Sequence, residues 1–159
     1  MLKISTRRSV NLSIFFAVSF IIAVVGIAIA LPFVWEQTPY LSKIVNNIKL
    51  FDSYSYGKTM FFVWAYLCFA LVLECCVFVL LLLLRVRNGL VFSAISVTCI
   101  RSVSWLCVLL SLLLVAGVFF HPMMCVLGIA MAFLGLCLRV AKNVIERATE
   151  IKQENDYTI

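Results

Sequence analysis

Residues 102–138 read SVSWLCVLLSLLLVAGVFFHPMMCVLGIAMAFLGLCL, a run of 37 residues without a charge. A helix rising 1.5 Å per residue crosses a hydrocarbon core of roughly 30 Å with about 20 apolar residues. The run is far too long for one crossing. His121-Pro122 stands in its middle. Proline lacks an N–H, collides with the preceding turn and drives the residue before it out of helical geometry. A tight turn therefore belongs there, between crossings at 102–120 and 123–141, the second continuing past Arg139.

The rest of the chain reads the same way. No charge lies between Arg8 and Glu36, and Glu74 is the only one between Lys58 and Arg85. These stretches supply crossings at about 10–34 and 59–84. Over all 159 residues, 65% are hydrophobic and 13% charged, against roughly 45–50% and 25% in a soluble domain. The expectation is an all-α integral membrane protein, a four-transmembrane-helix bundle forming one membrane domain over 1–159. The first span starts at Val10 and exceeds the 7–15 apolar residues of a cleavable signal. It reads as an uncleaved anchor, although Arg7-Arg8 and Ala28-Ile29-Ala30 imitate signal features.

Lysine and arginine set the orientation, because they are retained on the cytoplasmic side. Ten of the thirteen fall on one side: Lys3, Arg7, Arg8, Arg85, Arg87, Arg101, Arg139, Lys142, Arg147 and Lys152. Lys43, Lys49 and Lys58 fall on the other. Both termini are expected in the cytoplasm, with the chain in a bacterial cytoplasmic membrane. The net charge of +6 is thus a topology signal, and no direct nucleic-acid contact is implied.

Seven cysteines lie in or beside apolar segments, where a thiol packs as a small hydrophobe. No metal site, cofactor site or disulfide framework follows from their spacing. Small residues recur at helical steps: Ser19, Ala23, Gly26 and Ala30; Ser104, Cys107 and Ser111; Gly128, Ala132 and Gly135. Such seams let membrane helices approach closely. They predict a compact bundle and serve a homo-oligomer equally well.

Outside the crossings, Leu41, Ile44, Val45, Ile48 and Phe51 share a helical face in the external loop 35–58, suiting a helix on the membrane surface. Trp35, Tyr40, Tyr54 and Tyr56 are natural interface anchors. Residues 85–101 form an expected interfacial elbow, with Phe92, Ile95 and Cys99 on one face and Arg87 and Arg101 at headgroup level. In the tail 142–159, Lys142/Glu146 and Lys152/Asp156 are spaced to support a helix. Val140, Val144, Ala148 and Ile151 form a narrow apolar stripe along it, which suits either a solvated extension or a docking face.

Glu74 is the one ionisable residue deep in a span, about 16 Å from Arg85 at 1.5 Å per residue. A charge there is costly and points to the bundle interior or a pathway. Two readings stand: a protonated carboxyl bonded to Ser104, Ser111 or Ser19, or a proton-coupled site. His121, the single histidine, reads as a turn residue. No nucleophile elbow, phosphate loop or facing carboxylate pair occurs, so an enzyme is not expected.

The chain end, Asn143-Val144-Ile145-Glu146-Arg147-Ala148 and then Glu150-Ile151-Lys152-Gln153-Glu154-Asn155-Asp156-Tyr157-Thr158-Ile159, resembles the C-terminal signature of the YoaS-like family. So does Arg87-x-Gly89-x-x-Phe92 followed by Arg101. Tyr157 departs from the leucine of that pattern. The family comprises small four-span bacterial membrane proteins of unknown function, often encoded beside a Cro-like helix-turn-helix regulator. The resemblance implies a non-enzymatic regulator or sensor whose tail (Glu150, Lys152, Glu154, Asn155, Asp156) docks a cytoplasmic protein, that regulator by analogy. A small proton-coupled transporter or transporter subunit using Glu74 is the alternative.

Overall fold

The computed structural model describes residues 6–38, 54–88 and 93–157. Uncharged runs of about 20 residues or more, too long for barrel strands, satisfy their backbone in lipid by bonding it within the segment, and they form helices. These are α1 (Thr6–Gln37), α2 (Tyr54–Arg87), α3 (Ala94–Ala116) and α4 (Met123–Tyr157), with a 3₁₀ turn, Gly117–Phe119, closing α3. All four helices are long and apolar enough to cross a membrane, and no strand occurs among the described residues. The chain is a multi-pass membrane protein.

The turn expected at His121-Pro122 is present. The backbone N–H groups of Phe120 and His121 donate to the Gly117 carbonyl. His121 Nδ1 accepts from the Met123 N–H at 3.2 Å, giving a first-turn donor of α4 the partner it would otherwise lack. The single histidine is thus a helix cap. Within the expected elbow, 85–101, α2 runs to Arg87 and α3 begins at Ala94 behind Ser93, whose Oγ accepts from the Ser96 N–H at 3.3 Å. Ser93 is the N-cap of α3, and residues 94–101 are its first two turns. The surface helix expected within the external loop falls on residues 39–53, outside those described, as do Tyr40 and Phe92.

The helices pack antiparallel in chain order: α1 on α2, α2 on α3 and α3 on α4, with α1 making no extensive contact to α4. The result is an open row in place of the compact bundle expected. Its middle is α3, which buries Val97, Cys99, Ile100, Val103, Leu106, Cys107 and Leu110. Pro32 interrupts α1. Having no N–H, it leaves the Ala28 carbonyl without a helical donor, and the Tyr66 hydroxyl of α2 donates to that oxygen at 3.3 Å.

Two small-residue seams meet each other and the third does not. Gly128 and Gly135 of α4 lie against Ser111, Val115, Ser104 and Cys107 of α3. Ser104 Oγ donates to the Gly135 carbonyl at 2.8 Å, fully buried. On α1, by contrast, a methyl group added at Gly26 would meet nothing within 4 Å, and Ser19 and Ala23 are exposed. Replacing Ser104 by alanine should cost on the order of 1 kcal/mol, the range for hydrogen bonds between membrane helices. A thermal melt in detergent checks this, and an unchanged melting temperature would mean that the bond contributes nothing.

An aromatic cluster closes one end of the row. Trp35 is only 4% exposed, its ring 5.3 Å from those of Phe61 and Phe62. Lys58 Nζ lies 5.9 Å from the Trp35 ring centre. Trp64 Nε1 donates to the Leu113 carbonyl at 2.8 Å. The opposite, basic end carries Arg85, Arg87, Arg101 and Arg139.

Candidate functional site

Glu74 sits exposed on α2, in an open groove of about 430 Å³ between α2 and α3. The walls are Leu67, Ala70, Leu71, Leu109, Leu112 and Leu113, all apolar. The bond expected to Ser104, Ser111 or Ser19 does not form. Ser104 and Ser111 lie on the side of α3 that meets α4, whereas the leucines of the groove occupy a different face. Ser19 is out on α1. Among the described residues the carboxyl has no hydrogen-bond partner and no second titratable group lines its groove.

An unpaired carboxyl on an apolar wall contributes nothing to helix packing. Glu74→Leu should therefore leave the melting temperature unchanged or raise it, and Glu74→Gln should fold normally. A fall of several degrees for Leu alone would restore the structural bond.

The second concentration of polar groups lies at the basic end, where the early turns of α3 meet the far half of α4. A cavity of about 220 Å³ is lined by Arg101, Ser104 and Trp105 from α3 and by Arg139, Lys142 and Asn143 from α4. The helical steps 101, 104, 105 and 139, 142, 143 put these side chains on facing sides of an antiparallel pair. The Arg139 guanidinium lies 4.4 Å from the centre of the Trp105 ring, a stacking distance for a cation on indole. Arg101 pairs with Glu146 at 3.5 Å, and the Lys142 ammonium donates to the other oxygen of the same carboxylate. Arg101 and Lys142 thus share a single carboxylate, while Arg139 stacks on Trp105.

The hydrogen bond from Lys142, reinforced by its charge and that of Arg101, holds the Glu146 carboxyl below its ordinary value of 4.5. A depressed carboxylate stabilises the fold above that value and loses its contribution as pH falls through the lower folded pKa. Melting temperature should drop between pH 5 and acid, and Glu146→Gln should flatten that part of the profile. Superimposable profiles would remove Glu146 as its source.

Sequence reasoning assigned Arg101 and Arg139 only to flanking the spans, and read Lys142 as a helix-pair partner of Glu146. It did not bring them together across two helices. The available signal was Trp105 four residues after Arg101, with Lys142 and Asn143 three and four after Arg139. Among the docking candidates, Glu150 and Ile151 are exposed on α4. Lys152, Glu154, Asn155 and Asp156 continue the same helix, their side chains outside the described set. Arg87 is exposed at the end of α2. No group of three or more metal-ligating side chains occurs among the described residues, and the seven cysteines are unbridged.

Residues 36–159 match a family model described as "Protein of unknown function (DUF2975)". The match takes in α2, α3 and α4 and, of α1, only its last two residues. No curated protein matches the chain, and no solved structure does.

Proposed function

On the premise that the chain belongs to the DUF2975 family of proteins of unknown function, we propose that it is a non-enzymatic membrane regulator or sensor whose C-terminal helix docks a partner protein. The observation that carries this reading is the shape of α4. It runs unbroken for 35 residues, Met123–Tyr157; contact with the body of the protein reaches the buried Thr149, and the last eight residues carry the rod about 12 Å further at 1.5 Å per residue. Val140, Val144 and Ile151 are 64%, 63% and 59% exposed along one side of it. An exposed apolar stripe along a helix is the form recognised when a helix lies in a partner's groove. Charged residues of the same segment, Glu150, Lys152, Glu154 and Asp156, add specificity to such contact.

The lysine and arginine bias supports placing this rod on the cytoplasmic side of a bacterial cytoplasmic membrane. The likeness of the tail to the YoaS-like signature supports a small helix-turn-helix regulator as the partner, by association. The experiment is capture of partners from the host cytosol on the full-length protein in nanodiscs, alongside a chain ending at Thr149. A regulator retained by the first and not the second supports the proposal. Identical capture by both overturns it.

A proton-coupled transporter has Glu74 to recommend it and little besides. Its groove opens sideways and, among the described residues, offers no further polar group along which a proton or ion could pass.

A further inference from the structure

We infer that the cavity between α3 and α4 at the basic end is a binding site for the phosphate group of an anionic membrane lipid. Arg101, Arg139 and Lys142 converge on it, Asn143 adds an amide donor, and Glu146 is the only carboxylate paired with them among the described residues. Two positive charges are left over around a space of about 220 Å³, enough for a phosphodiester. Arginine forks and an ammonium are the donors that such a group takes.

The surroundings select a lipid over a free anion. Trp105, which forms one wall of the cavity, is 53% exposed; amphipathic indole rings of this kind settle at the headgroup boundary. Leu109 and Leu112 follow it at helical steps of four and three, 48% and 62% exposed. They lead away from the cations into the groove that Glu74 lines, otherwise apolar, where an acyl chain lies while its phosphate sits among the basic groups. Basic pockets between membrane helices hold anionic headgroups in this manner. The inference uses the charge bias to place the basic end at the inner leaflet, and it does not depend on what the tail docks.

The test uses the full-length protein, purified in detergent and titrated with phosphatidylglycerol, phosphatidylcholine or inorganic phosphate, with bound lipid read by native mass spectrometry. Phosphatidylglycerol should be retained and phosphatidylcholine lost. Arg139→Gln and Lys142→Gln should each weaken retention about fivefold, and the pair about thirtyfold. Arg85→Gln, at the same end but outside the cavity, should change it by less than twofold. Glu146→Gln should tighten binding, since it frees Lys142 and Arg101; this gain is readable even if a loss variant folds poorly. Equal retention of both lipids, an equal effect of Arg85→Gln, or no tightening by Glu146→Gln would overturn the assignment. Millimolar inorganic phosphate displacing phosphatidylglycerol, and stabilising the protein as well as the lipid does, would reassign the site to a soluble anion and end the lipid proposal.

Discussion

Gly128→Ala should lower the melting temperature of the detergent-solubilised protein by roughly 3–10 °C. Alanine is ordinarily the better helix former, by up to about 1 kcal/mol, so propensity alone predicts a rise. At Gly128, however, an added methyl would stand 2.7 Å from Val115 Cγ2 and 3.0 Å from the Ser111 carbonyl oxygen. Neither α3 backbone nor a β-branched valine can move aside without separating the helices. Overpacking of this kind costs about 1–3 kcal/mol, and each kcal/mol is worth roughly 2–4 °C in a chain of this size. Gly26→Ala is the control. Its new methyl meets nothing within 4 Å, so propensity acts alone and the melting temperature should hold or rise slightly. Opposite signs for two glycines in similar seams would establish the close approach of α3 and α4. A fall of equal size at Gly26 would mean that its face is covered, by another copy or another chain.

Ending the chain at Thr149 should leave the melting temperature within about 2 °C of the full-length protein while abolishing partner capture. Thr149 is itself 7% exposed and donates to the Ile145 carbonyl at 2.8 Å, so contact with the body of the protein still reaches that level. The ion pairs of Glu146 with Arg101 and Lys142 are kept as well. Beyond it, Glu150 and Ile151 are exposed, and loss of such side chains shifts stability by about 0.5 kcal/mol or less. Changing Glu150, Glu154 and Asp156 to lysine should abolish capture as deletion does, and capture by the native chain should weaken with salt if complementary charge contributes. A truncated protein that melts much earlier would move the last ten residues into the fold. A stable one that captures the same partner would refute docking through the tail.

Hydropathy was enough to read four crossing helices. A run of about 20 uncharged residues is a helical crossing, roughly twice the length of a barrel strand, and a helix bonds its backbone within the segment. His121-Pro122 was legible for a similar reason: proline chemistry is local. The seams were legible as seams, yet their partners were not. Gly128 and Gly135 found Ser104 and Ser111, whereas Ser19, Ala23 and Gly26, with the same spacing, face outward. Spacing says which residues share a face and nothing about what that face meets.

Glu74 shows the same limit. Its depth followed from counting, but its direction depends on how α2 is rotated against α3, a tertiary property absent from a single helix's pattern. The cation cluster was hidden more thoroughly. Arg101 and Arg139 lie 38 positions apart, and positive residues at span ends already had an explanation in topology. Their convergence with Lys142 follows from the antiparallel register of α3 and α4, which the Ser104 to Gly135 bond records.

The open row has a consequence for how the protein is made. Each helix packs chiefly on the one synthesised immediately before it, so none must wait in the bilayer for a distant partner. Assembly can keep pace with the ribosome, hairpin by hairpin, with the close α3–α4 pair completed last. By the same order, α1 is held chiefly by a single neighbour. The family match, which leaves nearly all of α1 outside, has its boundary where the row would part most easily.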